Sequence, residues 1–258
     1  MERLTGNVKP SGITAAALRV WGCLFLALGV VGKGLIQNVL LGIGARDMQD
    51  IFQAMNESGE VMGMVTLSLV LQAVESCAVP IFAFLTVEGY LHTSDYKKYL
   101  VRVILVALVS ELLYNIVMDG KVISLYSRNP VWGVVLALVL LRLFRYADDR
   151  LKGSKILKIV MALAGILWAK MLGVEHGIFF VIMVLVLWIM RSKPQFRLFV
   201  GMGAAAMCTA ISPFYLASTM GFMAVHFFNG EKGDSSPIVN YGAYPAMLLA
   251  VAASSFFF

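Results

Sequence analysis

Long runs of apolar residues, separated by short polar segments, make up most of this chain. Each run has about 16–26 residues, the length that an α-helix needs to cross roughly 30 Å of hydrocarbon at 1.5 Å per residue. The runs must be helical, because an unpaired strand edge cannot be satisfied in lipid. The sequence therefore predicts an all-α, polytopic transmembrane helix bundle of about nine spans, forming one domain over 1–258. The predicted spans are 18–41, 65–90, 98–117, 129–145, 155–172, 175–190, 196–210, 213–229 and 239–257.

The seventh and eighth spans are predicted from one apolar stretch, Phe196–Phe228, which only Arg197 interrupts. As a single helix it would run about 50 Å, which is too long for one crossing. Ser212-Pro213 offers a turn, because proline ends helices and restricts the residue before it. We therefore predict two short, tilted spans.

A proline also lies inside the second predicted span. Pro80 removes one backbone hydrogen bond from a continuous helix and should kink it. A kink at this point predicts a cavity beside Glu75 and Ser76.

The connection Ala45–Gly59 has apolar residues at helical spacing. Met48, Ile51, Phe52 and Met55 fall at i, i+3, i+4 and i+7, opposite acidic residues. This pattern predicts an amphipathic helix that lies in the membrane interface. An ordered loop packed on the bundle is the alternative.

Composition excludes an ordinary soluble domain. Apolar residues make up 60% of the chain and charged residues only 14%, and the mean hydropathy is +0.83. That charge is too little to cover a water-exposed surface. The net charge of +6 does not predict a nucleic-acid partner, because the basic residues lie in short loops between apolar runs. The lipid bilayer is the expected partner.

The basic residues divide unequally between the two sides of the predicted bundle. Sixteen of the 21 Lys and Arg residues fall on one side, and the more basic side of a membrane protein is cytoplasmic. The N-terminus is therefore predicted in the cytoplasm, and Ala45–Gly59 outside.

Ionisable side chains inside the predicted spans are the candidates for chemistry, because each is costly in lipid and needs a partner. Lys33 is expected to face the bundle interior, near Glu75 or Glu111. For Glu111 we expect a buried pair with Lys33 or Lys170.

Glu88 and His92 are four residues apart near the end of the second span, so they share a helix face if the helix continues that far. They are the strongest candidate for an acid–base pair. The alternative is that Glu88 pairs with Arg102 while His92 caps the span. His226 is interpreted as an interfacial residue, and Glu175-His176 as a surface dipeptide.

The stretch Ala78–Arg102, AVPIFAFLTVEGYLHTSDYKKYLVR, followed by Val109–Asn115, VSELLYN, resembles the TraX family of membrane proteins, whose namesake acetylates the N-terminus of conjugative pilin. The family pattern runs approximately P-x-F-A-F-x-x-x-E-G-x-x-H-T, then K-K-Y-x-x-R, then S-E. The matching residues are Pro80, Phe82, Glu88, Gly89, His92, Thr93, Tyr99, Arg102, Ser110 and Glu111.

The resemblance implies a membrane acetyltransferase, multi-pass in a bacterial-type plasma membrane. Its donor would be acetyl-CoA, and its acceptor an amine or hydroxyl of a peptide or small molecule. Glu88, His92 and Glu111 are then the expected catalytic group. The residues expected to bind substrate at the cytoplasmic mouth of the site are Lys97, Lys98, Arg102, Tyr244 and His226.

Two positions depart from the family pattern. The family has an Asp-His pair near the end of the first span, where this chain reads Gly29-Val30, and a His in the last span, where Met247 stands. A non-catalytic accessory protein of a transport or peptide-maturation system is therefore the alternative function. A small transporter is a third, although the sequence shows no inverted repeat. No zinc signature or nucleotide fingerprint is found, so no metal site is predicted.

Overall fold

The computed structural model describes residues 12–43, 48–56, 58–124, 126–150, 155–234 and 236–254. Within these ranges the regular structure is helical apart from two isolated β-bridges, which confirms the predicted all-α class. The α-helices are α1 Ala15–Gly29, α2 Met48–Met55, α3 Gly59–Glu75, α4 Ala78–His92, α5 Tyr96–Asp119, α6 Val131–Arg150, α7 Lys155–Met171, α8 Gly177–Ile189, α9 Pro194–Met207, α10 Thr219–His226 and α11 Pro237–Ser254. A π-helix and short 3-10 turns complete the chain: Val30–Leu40, Met190–Ser192, Cys208–Ala210 and Pro213–Leu216.

Three helical stretches are long and apolar enough to cross a membrane. They are Ala15–Leu40, Gly59–His92 and Tyr96–Asp119, of 26, 34 and 24 residues. Shorter apolar helices cover Gly177–Ser192 and Tyr241–Ser254. The count of nine spans and their orientation remain predictions.

The first long stretch changes its helix type part of the way along. Thr14 caps α1 by accepting a hydrogen bond from the backbone N–H of Ala17 at 3.2 Å. Beyond Gly29 the chain continues as a π-helix to Leu40. Eleven residues of π-helix are unusual, because this geometry occurs mostly as single turns within α-helices and often at functional sites.

The second long stretch breaks before its proline. The helix is interrupted at Ser76-Cys77, and Pro80 is the third residue of α4. In the first turn of a helix, proline's missing N–H is no loss. The expected kink is therefore a break between two helices. The Ser76 hydroxyl reinforces it by donating to the carbonyl oxygens of Ala73 at 2.7 Å and Phe214 at 2.9 Å.

The predicted turn at Ser212-Pro213 is confirmed, but the span 213–229 is not one continuous helix. A 3-10 turn, Pro213–Leu216, is followed by α10, which has only eight residues. At 1.5 Å per residue, α10 measures about 12 Å and cannot cross the hydrocarbon alone. It packs instead against α9 and α4.

The predicted amphipathic segment forms a short helix, α2, over Met48–Met55. Ile51 is buried, whereas Phe52 is 60% exposed. One apolar side chain therefore packs on the protein while its neighbour points away. The structure combines features of the interfacial helix and of the packed segment.

The core is built around α4, which packs against α1, α6, α8 and α10. Its largest fully buried side chains come from several helices, and they include Phe84, Leu138, Phe179, Leu187 and Phe222. Many large apolar side chains also lie exposed on the outer faces, for example Leu163, Phe199, Met207 and Met220. An apolar exterior around an apolar core is the arrangement expected of a protein surrounded by lipid.

Candidate functional site

Glu88 and His92 form a close pair in the last turns of α4. Nδ1 of His92 lies 2.9 Å from a carboxylate oxygen of Glu88 and 3.0 Å from the Glu88 carbonyl oxygen. Both neighbours are acceptors, so Nδ1 bears the proton and Nε2 keeps its lone pair in the neutral ring. The Glu88 side chain is 10% exposed and that of His92 is 55% exposed. A buried carboxylate thus orients an accessible imidazole.

Arg102, the alternative partner of this carboxylate, is exposed on α5. Arg197, in the first turn of α9, lies close enough to Glu88 for their charges to interact. Arg197 is only 6% exposed, and its guanidinium lies 4.8 Å from the centre of the Phe84 ring. In the sequence, Arg197 stands out only as a charged residue in the apolar stretch Phe196–Phe228. A lone charge at such a position is the feature that could have marked it as a site residue.

Three exposed basic residues follow His92 closely in the chain. Lys97, Lys98 and Arg102 are all exposed on the first turns of α5. Asp95 caps this helix: its carboxylate accepts a hydrogen bond of 3.1 Å from the backbone N–H of Lys98, and that bond lowers the pKa of Asp95 below its usual value. Only three residues separate the end of α4 at His92 from the start of α5, which carries the basic cluster in its first turns.

The two remaining residues of the expected mouth differ in their surroundings. His226 is exposed at the end of α10, with its ring against Phe227 at 5.6 Å between centres. Tyr244 is buried among apolar side chains that include Leu26, Val30 and Tyr114. Because α11 runs along α5, its register places Tyr244 further from the α4–α5 connection than we expected.

Glu111 fixes the connection between α5 and α6. One carboxylate oxygen accepts from Arg128 at 2.9 Å. The other accepts from the Asn129 backbone N–H at 3.1 Å, the Asn129 side chain at 2.6 Å and the Trp132 indole at 3.2 Å. The expected partner, Lys33 or Lys170, was wrong, because Glu111 faces the segment that precedes α6. A carboxylate bonded by four donors favours a structural role over proton transfer.

A second polar cluster lies at the opposite end of α4. We define it as Lys33, Glu75, Tyr114, Glu175, His176 and Tyr215. Glu75 ends α3 just before α4, whereas His92 ends α4. Because α4 has 15 residues, the two sites are separated by roughly 20 Å.

Glu175 is the centre of this second polar cluster. Lys33 donates to one of its carboxylate oxygens at 2.5 Å, and the Tyr114 hydroxyl to the other at 2.5 Å. Lys33 therefore faces the interior and lies close enough to Glu75 for their charges to interact, as predicted. Its hydrogen bond goes to Glu175. The Glu175 side chain is only 14% exposed, so the interpretation as a surface dipeptide was wrong.

His176 links Glu75 to Tyr215. Nδ1 of His176 lies 3.1 Å from the Tyr215 hydroxyl, and Nε2 lies 3.9 Å from a Glu75 carboxylate oxygen. The backbone of His176 is left-handed, with φ of 54°, a conformation that is uncommon outside glycine. Strained backbone of this kind often marks functional positions. Residues 175 and 176 join α7 to α8, and nothing in a span pattern predicts where such a connection points.

Gly29 makes the space for Glu75. A Cβ atom at position 29 would lie 1.9 Å from a carboxylate oxygen of Glu75. This is where the family pattern has its Asp-His pair. In this chain the neighbourhood of Gly29 contains a carboxylate from α3 and an imidazole from the connection between α7 and α8. Among the described residues, no three His, Cys, Asp or Glu side chains are grouped so as to hold a metal ion.

Comparison with known proteins gives one family. The family model described as TraX protein matches residues 50–253. No curated protein and no solved structure matches the chain. The matched region contains both polar sites except for Lys33. The match covers well over half of the sequence, and the chain therefore belongs to the TraX family.

Proposed function

We propose that the chain is a multi-pass plasma-membrane acetyltransferase, which moves the acetyl group of acetyl-CoA to an amine or hydroxyl of a peptide or small molecule. The observation that supports this most is the Glu88–His92 pair, in which a buried carboxylate orients a half-exposed imidazole. A base held in this way is what acyl transfer requires. Membership of the TraX family supports the same reaction.

His92 is the general base of this reaction. Nε2 takes the acceptor's proton while the acceptor nitrogen or oxygen attacks the acetyl carbonyl carbon. The C–S bond then breaks, the CoA thiolate leaves, and the proton on Nε2 passes to the sulfur. Glu88 keeps the proton of the neutral ring on Nδ1 and stabilises the imidazolium that forms.

Acetyl-CoA would reach His92 through the exposed basic cluster of Lys97, Lys98 and Arg102. Guanidinium groups bind phosphate with two parallel hydrogen bonds. Arg102→Ala is expected to raise the KM for acetyl-CoA and to leave kcat near the wild-type value. Arg145→Ala, which changes an exposed arginine on α6, is the matched control.

The reaction is tested with purified protein in lipid bilayers, supplied with acetyl-CoA labelled in the acetyl group and with amine and hydroxyl acceptors. We expect label transfer together with CoA release. His92→Ala should lower turnover by about 10²–10⁴-fold, while its thermal transition stays close to that of the wild type. A folded His92→Ala protein with full activity would exclude His92 as the base.

An accessory role is the second candidate, favoured by Gly29-Val30 and Met247 in place of the family's histidines and aspartate. Folded wild-type protein that neither binds acetyl-CoA nor releases CoA with any acceptor would support it.

A further inference from the structure

Arg197 is a buried cation whose hydrogen-bonding capacity is only partly used. Arg197 lies near the start of α9 and is 6% exposed. Nη2 donates to the carbonyl oxygen of Val225 at 3.4 Å. Nη1 is shielded from solvent and has no hydrogen-bond partner in the part of the chain that the structure describes. Leaving a charged donor buried and unbonded is strongly unfavourable, so this atom calls for an explanation.

The surroundings of Arg197 place this donor in the Glu88–His92 site. Phe84, Glu88 and His92 follow at four-residue intervals along one face of α4. The Arg197 guanidinium lies against Phe84 and interacts with the charge of Glu88. The Glu88 carboxylate accepts its hydrogen bond from Nδ1 of His92 instead, at 2.9 Å. An imidazole and a guanidinium therefore flank one carboxylate, and the guanidinium retains a free N–H.

A purely structural Arg197 would be expected to use its donors. The side chain connects α9 to α4 and to the end of α10 through Phe84 and Val225. Those contacts leave Nη1 unused. A buried, unbonded donor near a base is the kind of group that stabilises an oxyanion.

We infer that Arg197 is a further catalytic residue, which donates a hydrogen bond from Nη1 to the acetyl carbonyl oxygen as that oxygen becomes negative. This inference rests on the proposed acetyl transfer. When the acceptor attacks the carbonyl carbon, the C=O electron pair moves onto oxygen and Nη1 donates to it. His92 takes the acceptor's proton, the C=O bond re-forms, the C–S bond breaks, and the CoA thiolate leaves with the proton from His92.

Kinetics separate this role from substrate binding. Arg197→Met removes the donor and keeps an apolar side chain of similar length. It is expected to lower kcat by about 10²–10³-fold with little change in the KM for acetyl-CoA. Arg102→Ala should give the opposite result, a raised KM and an almost unchanged kcat. Arg145→Met, at an exposed position on α6, should leave both constants unchanged.

The binding affinities of two CoA analogues give a measurement that does not depend on turnover. One is a CoA trifluoromethyl ketone, whose hydrate has the tetrahedral shape of the intermediate and an oxygen at the place of the oxyanion. The other is S-ethyl-CoA, which has no carbonyl oxygen. In Arg197→Met, the affinity for the ketone should fall by about 10²-fold while the affinity for S-ethyl-CoA is retained. If Arg197 only supported the fold, the substitution would lower the affinity for both analogues together.

The outcomes separate this inference from the proposed function. Wild-type protein that binds neither analogue and shows no turnover would overturn the proposed function itself. Loss of activity in His92→Ala, with wild-type kcat in Arg197→Met, would overturn only the role of Arg197. If Arg197→Met does not fold, Arg197→Lys is measured in its place. Lysine keeps the charge but displaces the donor, and a displacement of about 1 Å can lower the rate by about 10²-fold. An unchanged ratio of the two affinities in Arg197→Lys would also overturn it.

Discussion

Gly29 is the residue where the smallest change should disturb a polar site. A methyl group added there would overlap the Glu75 carboxylate, whose nearest oxygen is 1.9 Å from the ideal Cβ position. Gly29→Ala should therefore push Glu75 away from His176. Overpacking costs about 1–3 kcal/mol, and the helix propensity of alanine returns up to about 1 kcal/mol. We expect a net loss of about 1–2 kcal/mol in the free energy of unfolding, measured in lipid nanodiscs.

Gly63→Ala is the matched control, because a Cβ at Gly63 on α3 would have no atom within 4 Å. It should be neutral, or stabilising by up to about 1 kcal/mol. Equal effects of the two substitutions would contradict the close contact between Gly29 and Glu75.

The four hydrogen bonds of Glu111 predict that its charge matters for folding. Glu111→Gln keeps the shape of the side chain, but it removes the partner of Arg128 and turns one accepting oxygen into a donor. Breaking a buried pair of this kind costs about 3–5 kcal/mol. Thermal unfolding should show a large loss of stability. Asp149→Asn, an exposed carboxylate at the end of α6, should change stability by less than about 0.5 kcal/mol.

Residue pairs were predictable where they are local in the sequence. The one-turn spacing of Glu88 and His92 sufficed to predict their contact, which the structure shows at 2.9 Å. The pairs of Lys33 with Glu175 and of Glu88 with Arg197 join residues more than 100 positions apart. Such pairs depend on how helices pack, and one sequence does not contain that information. The cost of burial predicted only that each charge would have a partner.

At the scale of elements, one ion pair joins the π-helix to the connection between α7 and α8. Lys33→Glu would place an acidic side chain beside Glu175, where Lys33 now donates at 2.5 Å. We expect a loss of about 3–5 kcal/mol. Adding Glu175→Lys should recover at least half of it. Failure of the double variant to recover any stability would contradict the pairing.

Lys158→Glu is the control for this charge reversal. Lys158 pairs with Asp148 between α6 and α7, where both side chains are more exposed than those of the Lys33–Glu175 pair. Pairs of that kind contribute about 0–1 kcal/mol. The reversal at the surface should therefore cost far less than the reversal in the interior.

Helices were predictable from apolar run length, but their interruptions were not. The second predicted span is two helices that meet at Ser76-Cys77, and the eighth is a 3-10 turn followed by α10. The first interruption depends on Ser76, which bonds to the distant Phe214 carbonyl. The π-helix after Gly29 likewise has no counterpart in the hydrophobic pattern.

At the scale of the whole molecule, the distribution of basic residues predicts the orientation in the membrane. In a background with Cys23, Cys77 and Cys208 replaced, a cysteine at Gln53 in α2 should react with an impermeant thiol reagent added outside cells. A cysteine at Asp149, at the end of α6, should react only after the membrane is opened. The reverse pattern would contradict the predicted cytoplasmic N-terminus.

The fold class followed from composition and run length, whereas the contacts within each polar site did not. Sequence analysis placed Tyr244 beside His92. In the structure, Tyr244 shares an apolar cluster with Tyr114, whose hydroxyl bonds to Glu175. Apolar run length predicts that α11 is a helix, but it does not predict the register of α11 along α5.

The contact between Gly29 and Glu75 also has a consequence for how this family varies in evolution. A carboxylate from position 75 fills the space in which a side chain at position 29 would begin. Two carboxylates there would repel each other and would not fit. In an alignment of relatives, an acidic residue at the position of Gly29 should therefore occur together with a smaller, uncharged residue at the position of Glu75. Conversely, an acidic residue at the position of Glu75 should occur together with glycine at the position of Gly29, as in this chain. The two positions should covary, as alternative origins of one negative charge.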